Sequence, residues 1–292
     1  MGALVFVGNA LYHSLRDLRG QVASPDFLVA VAVCAILYAV ALQLVGLAWY
    51  RLLAAAGDVP LGIGQALAIF GRTQIYKYFP SNILHMVGRF AAAKKAGASN
   101  AALAFAQVGE VAIIASAAGT VAATFSAPVM SKALARFGID STQFATASTG
   151  IALLVAAIII FFTLRLKAMD VGLRATVVAI EAFFLYALFF AGNGLILLTL
   201  AYSTGSISLD VWDLMGIGAA AWLIGFVVPG APGGLGVREA VMIMGLNLAG
   251  HPVSSATVIA LGHRLVTILG DAIVALCELV IRNLRSAYGV KE

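Results

Sequence analysis

The sequence predicts an all-α integral membrane protein: a polytopic helical bundle of two inverted-topology repeats, each with a broken, re-entrant hairpin. Three observations predict it. The chain of 292 residues is 62% hydrophobic and 11% charged, whereas a soluble domain is about a quarter charged. Several apolar stretches exceed the roughly 18 to 20 residues needed to cross a bilayer. Finally, Pro80 and Arg89 are nine residues apart, Pro229 and Arg238 have the same spacing, and an offset of 149 residues relates the two pairs. A surface of this composition, with a mean hydropathy of +1.02, has to meet lipid.

The elements follow in order. Met1 to Leu15 reads as the end of a span whose beginning is missing, since 15 residues reach only about 22 Å. It has neither the basic start nor the small-residue cleavage site of a signal peptide. Asp26 to Leu53 is long and apolar enough to span. Ile63 to Phe79 is shorter, breaks at Pro80-Ser81-Asn82 and resumes from Ile83 to Ala96. Ser99 to Phe125, Thr142 to Leu164 and Ala175 to Tyr202 read as spans. Val211 to Val228 breaks at PGAPGG, Pro229 to Gly234, and continues to Ala249; Val253 to Ile281 is the last span. Arms of roughly 15 to 18 residues joined by a Pro/Gly break are marginal for crossing and dip in and return more naturally. Such irregular backbone survives at membrane depth only where protein or a wet cavity covers it.

The chain is read as a single transmembrane domain over 1–292, with repeat one at about 1–125 and repeat two at about 142–281. At the offset of 149 the span from Asp26 falls on the span from Ala175, and Gly88-Arg89 falls on Val237-Arg238. With a few inserted residues, Gly97 meets Gly250 and Glu110 meets His263. Loop charges orient the halves. With Arg165, Lys167 and Arg174 in the cytoplasm, Arg51, Lys94, Lys95, Arg282, Arg285 and Lys291 also lie inside, while Arg16, Arg19, Lys132 and Arg136 lie outside. The positive-inside rule favours this choice and places both termini in the cytoplasm. The first broken hairpin then enters from the cytoplasm and the second from outside, which suits alternating access to a site between them.

The formal net charge of +5 lies in loops, where it reflects orientation and anionic headgroups. No aromatic-and-basic stripe of the kind single strands need is present, so no nucleic acid partner is expected. Cys34 and Cys277 fall inside apolar spans and read as structural thiols.

The second break, VVPGAPGGLGVREA from Val227 to Ala240, leaves the amides of Gly233, Gly234 and Gly236 uncovered before a helix expected from near Val237. Exposed amides at a helix N-terminus favour anions, phosphate above all. Arg238 and Glu239 lie in its first turn, and Arg238 completes a phosphate clamp, because guanidinium pairs bidentately with phosphate oxygens. The same residues also fit a packing role, with the glycines allowing close approach and Arg238 paired to Glu110 or Glu239; both readings stay open. The glycines follow no strand and no Gly-Lys-Ser/Thr closes the run, so no nucleotide-binding loop is read here.

The first break, RTQIYKYFPSNILHMVGRF from Arg72 to Phe90, gathers Arg72, Lys77, His85 and Arg89, with Asn82 in the break itself. His85 and Arg89 are one helical turn apart and share a face. Lys77, Tyr76 and Tyr78 read as interfacial anchors that snorkel to headgroups. Arg89 reads as functional, because it is repeated and follows a break. Ionisable groups inside spans are expensive and functional by default. Glu110 sits near the middle of its span, whereas Glu181 is close enough to an end to be interfacial. Arg264, Asp271 and Glu278 recur every seven residues with Thr267 between them, one polar stripe beside His263. An Arg264–Asp271 salt bridge is the structural reading of that stripe. The candidate substrate-binding residues are therefore Arg89, Arg238, Glu110, His85, Asn82, Gly233, Gly234, Glu239, His263, Arg264 and Asp271. No catalytic residue, metal site or cofactor is read from the sequence.

At these residues the chain resembles the transmembrane region of the lysylphosphatidylglycerol synthase/flippase family, in the form of flippase-like integral membrane proteins without the soluble synthase domain. That family has a KYxPGxxW-type break with a later Gly-Arg, a Glu in the next helix, and a PGGxGxREA segment. Here these are KYFPSNILHMVGRF, Glu110, and PGGLGVREA from Pro232 to Ala240. The resemblance runs over nearly the whole chain, and its second motif is the more specific. The first departs from the pattern, with Ser81 where Gly is expected and His85 where an aromatic is usual. The resemblance implies lipid translocation, or association with envelope-lipid and glycan pathways, in the inner (cytoplasmic) membrane. Synthesis of an aminoacylated lipid, which needs the soluble domain, is not implied.

The expected function is translocation of a phosphate-bearing lipid or lipid-linked envelope precursor. Arg89 and Arg238 would grip the headgroup from opposite breaks, and Glu110 would balance their charge or carry a coupling proton. The expected partner is an anionic phospholipid or lipid-linked phosphate, with a second copy of the chain or a membrane glycosyltransferase as protein partners to consider. The rival readings are an integral membrane enzyme acting on a lipid headgroup and an accessory subunit in envelope lipid or glycan synthesis. Against the enzyme, no metal cluster, no nucleophile with an adjacent base and no paired carboxylates on one helix turn can be read.

Overall fold

The computed structural model describes residues 24–57, 59–79, 83–126, 172–205, 210–228 and 232–287, with 129, 131, 135 and 138 as single positions. The expected elements Met1 to Leu15 and Thr142 to Leu164, the candidate Asn82, and the outside markers Lys132 and Arg136 lie outside the described residues. Among the described residues the regular structure is entirely helical.

Helix α1 runs Pro25–Ala55. Ser24 caps it, its hydroxyl accepting from the Phe27 amide at 3.2 Å, and Pro25 takes the first position, where a missing N–H costs nothing. Helix α2, Ile63–Gln74, tightens into a 3-10 turn at Ile75–Tyr78. Helix α3 is Leu84–Lys95, and α4 is Asn100–Phe125, capped by Ser99. Helix α5 is Gly172–Ser203, and α6 is Val211–Val227, capped by Asp210. After a short 3-10 turn at Pro232–Gly234 come α7, Val237–Leu248, and α8, Val253–Ala287.

Helices α3 and α7 end in the same way. Gly97 and Gly250 have φ of 97° and 105°, which a side chain would resist. The following amides reach back five residues, Ala98 to the Ala93 carbonyl at 3.1 Å and His251 to the Leu246 carbonyl at 3.0 Å. Both closures have the Schellman pattern.

Helix α1, α4 and the stretch Arg174–Ser203 of α5 are long and apolar enough to cross a membrane, with mean hydropathies of 2.6, 1.7 and 2.0 in their most apolar windows. Their outward faces are apolar too. On α5, Val177, Ile180, Phe184, Leu188 and Leu195 are exposed at helical spacing, a stripe that suits acyl chains rather than water.

Helices α1 and α5 pack together at the centre. Ala41 lies against Gly192, and Arg51 pairs with Glu181 at 2.7 Å. Numbers rise on one helix as they fall on the other, so the pair is antiparallel. Helix α8 lies on α1 and α4 on α5. Helix α2 touches α1 and α8, as α6 touches α5 and α4. Helix α3 packs on α2 and α4, as α7 packs on α6 and α8. Gly225 meets Arg238 near the second break while Gly245 meets Ile217 at the far end. The arms α6 and α7 therefore double back on each other.

Candidate functional site

The ends of the two broken segments meet. A Cβ on Gly233 would lie 3.5 Å from the Lys77 carbonyl oxygen and 3.6 Å from Tyr78 Cδ1. Helix α8 ties both down: Arg264 Nη1 donates to the Gly233 carbonyl at 3.1 Å, and its guanidinium lies over the Tyr78 ring at 5.4 Å. Two turns further along α8, Asp271 is completely buried. Its Oδ2 accepts from the Tyr78 hydroxyl at 2.5 Å and pairs with Lys77 Nζ at 2.7 Å.

This arrangement corrects three expectations. Lys77 and Tyr78 do not snorkel to headgroups; they turn inward to a buried carboxylate, and of the three anchors only Tyr76 is exposed. Arg264 does not pair with Asp271. Seven residues are about 10.5 Å along a helix, so each side chain instead reaches the broken segment nearest it. Arg264 Nε lies 3.5 Å from Glu239 Oε1, an ion pair too long for a good hydrogen bond. Nor does Arg238 pair with Glu110 or Glu239. Adjacent helix residues do not face each other, and Glu239 turns back to cap its own helix, accepting from the Gly236 amide at 2.7 Å.

Glu110 is taken by Arg89. The two form a buried ion pair through Arg89 Nη2, and Gln107 Nε2 donates to the same carboxylate oxygen at 3.2 Å. The Arg89 guanidinium lies 4.9 Å from the Trp49 ring and 5.1 Å from the Phe70 ring, and the residue is only 1% exposed. Charge and cation–π contact together hold it in the protein.

Arg238 is placed alike but partnered differently. Its guanidinium lies 5.6 Å from the Trp222 ring, and its stem threads between two glycines. A Cβ on Gly225 would come within 2.3 Å of Arg238 Cγ, and one on Gly234 within 2.5 Å of Nε. Among the described residues Arg238 has no ion-pair partner, and its Nε is buried without a hydrogen bond. It walls a cavity of about 80 Å³ together with Lys77, His85, Glu110, Gly233, Tyr38 and Trp222. His85 Nδ1 is likewise buried and unpartnered. Arg89 does not line this cavity; it stands behind Glu110. His263 lines two smaller spaces beside Arg238, and its Nε2 is 3.2 Å from Asn193 Oδ1.

The structure thus brings Arg238, His85, Glu110 and Gly233 to one cavity, with Gly234, Glu239, His263, Arg264 and Asp271 around it. Chemically it offers a guanidinium and an ammonium, with the Glu110 carboxylate, in a space lined in part by the rings of Tyr38, Phe189, Trp222 and Phe226, a setting for an anion. Sequence reasoning passed over Trp49, Trp222, Gly225 and Asn193, none of which is ionisable. One signal was available: the chain has three tryptophans, and two of them lie under the two break arginines. Compared with known proteins, the chain matches no protein-family model and no curated protein sequence.

Proposed function

We propose that the chain is a membrane translocase for a phosphate-bearing lipid or lipid-linked envelope precursor, working in the inner membrane with both termini in the cytoplasm. The observation that carries this reading is Arg238: a cation with no counter-ion among the described residues, lining a cavity where two broken segments meet. A charge in that position costs free energy unless an anion completes it. Phosphate suits a guanidinium that has Lys77 and His85 across the same cavity.

Inverted repeats are part of the proposal. Exchanging α1–α4 with α5–α8 leaves the pattern of helix–helix contacts described above unchanged. The repeat mates α1 and α5 run antiparallel, as mates related by an axis in the membrane plane would. Re-entrance is favoured by length: α2, α3 and α7 have 12 residues each, about 18 Å of helix against a hydrocarbon core of about 30 Å. In this reading the two break arginines share the work unequally. Arg238 contacts the headgroup, and the Arg89–Glu110 pair shapes the wall behind it.

The test is transbilayer movement of a headgroup-labelled phospholipid in liposomes holding the purified protein, with the lipid recovered and checked for chemical change. Movement without conversion, reduced at least about tenfold in Arg238→Lys while protein yield holds, is expected, because a point charge lacks the bidentate fork. Chemical conversion of the lipid would establish an enzyme instead, and wild-type movement by Arg238→Lys would remove the proposed grip.

A further inference from the structure

Charge around the cavity does not cancel. Four cations stand at it or beside it: Lys77, Arg89, Arg238 and Arg264. Three carboxylates answer them, with Asp271 on Lys77, Glu110 on Arg89 and Glu239 on Arg264. Among the described residues one positive charge is left, on Arg238. The break residues Pro80 to Asn82 and Pro229 to Ala231 have no ionisable side chain, so they leave the count as it is. His85 would add a charge only by holding a proton beside Lys77 and Arg238, where a third cation is repelled.

We infer that the site takes a headgroup with one negative charge, a phosphodiester, and selects against phosphomonoesters and diphosphates. This rests on the reading of Arg238 as the residue that binds the anion. The first negative charge completes Arg238 and disturbs nothing. A second has no cation waiting for it. It has to draw Lys77 from Asp271, Arg89 from Glu110 or Arg264 from Glu239, and these carboxylates are buried or nearly so, Asp271 completely, Glu110 to 7% exposure and the Glu239 side chain to 14%. Stripping the partner from a buried charge is strongly unfavourable. The repeat explains the surplus. Where Glu110 faces Arg89 in one half, the other half has His263 beside Arg238, so the cation that the first half neutralises is left for a ligand in the second.

The experiment measures binding to the purified protein in detergent at pH 8. The probes are dihexanoyl phosphatidylglycerol, with one charge, dihexanoyl phosphatidic acid, with roughly two, geranyl diphosphate and inorganic phosphate. The diester is expected to bind at least about tenfold tighter than the other three. Glu110→Gln adds one positive charge and should erase or invert that order. His263→Glu sets a carboxylate beside Arg238 and should weaken the diester at least about tenfold, which carries the test if Glu110→Gln does not fold. A wild type that prefers either of the more highly charged lipids, or two folded variants with the wild-type order and affinity, overturns the selection while leaving the lipid site standing. Inorganic phosphate binding as tightly as the diester, or no binding by any probe, overturns the lipid reading of Arg238 itself.

Discussion

Removing Glu110 should unmask a charge the fold cannot accommodate. Arg89 is 1% exposed, lies over Trp49 and Phe70, and has Nε and Nη1 buried without hydrogen bonds even in the intact protein. Its one ion pair among the described residues is to Glu110. Glu110→Ala leaves that guanidinium uncompensated, at a cost of about 3–5 kcal/mol. For a chain of this size each kcal/mol lowers the melting temperature by roughly 2–4 °C, so a fall of at least about 6 °C is expected. Replacing both partners with apolar residues of similar volume, Arg89→Met with Glu110→Leu, removes the stranded charge. The double variant should therefore be more stable than Glu110→Ala, with a coupling between the sites of about 1–3 kcal/mol. The assay is unfolding of the purified protein in detergent, followed by heat and by denaturant. Phospholipid binding by the same proteins gives a second readout. The double variant keeps the cavity's single surplus charge, so its affinity should stay within about threefold of wild type. Additive losses in stability would refute the pairing argument. A double variant that folds but has lost the lipid would return Arg89 to the binding surface, as the shared clamp requires.

Gly225→Ala should weaken anion binding at least about tenfold with little change in fold, because its Cβ would need the space held by Arg238 Cγ, 2.3 Å away; lipid titration of the variant checks it. The Arg51–Glu181 pair is about as exposed as it is covered, at 46% and 35%, so deleting both side chains should change stability by no more than about 0.5 kcal/mol, measured in the same unfolding assay. With Cys34 and Cys277 replaced by Ser, single cysteines at 95 and 210 should label from opposite sides of the membrane, the first from the cytoplasm; labelling from one side contradicts the inverted orientation.

How much of this was legible in the sequence differs between backbone and charge. The element boundaries were readable because Ser24, Ser99 and Asp210 are capping residues at the start of apolar runs, and Gly97 and Gly250 end helices by a conformation few other residues adopt. The expected spans from Asp26, Ser99, Ala175 and Val253 are helices, and the arms beside the breaks are helices of 12 to 17 residues. Partners were harder. Helical spacing made Arg264 and Asp271 neighbours on a stripe, yet their partners come from the breaks, Gly233 and Glu239 for one and Lys77 and Tyr78 for the other. Spacing along one helix cannot reveal what is brought to it from elsewhere. Lys77 and Tyr78 were misread for the same reason: beside a helix end, an anchor and a buried partner have the same local sequence.

In the proposed reading the chemistry is carried where the two proposed repeats stop resembling each other. Arg89 and Arg238 follow their breaks at the same spacing, each lies near a tryptophan, and each belongs to an arm packed in the same way. A bundle that repeated its chemistry as well as its packing would give Arg238 a carboxylate from α8, as α4 gives Glu110 to Arg89. It would then close both arginines in neutral pairs and hold no charge for a ligand. Instead α8 brings His263, already engaged with Asn193 at 3.2 Å, and sends a carboxylate, Asp271, to Lys77 on the opposite break. That exchange does two things at once. It ties the two breaks to one helix, and it leaves a guanidinium at the wall of the cavity between them. A ligand that neutralises Arg238 therefore binds beside the Lys77–Asp271 and Arg264–Gly233 contacts that join α8 to the breaks, so occupancy and the closure of the two broken segments are physically adjacent.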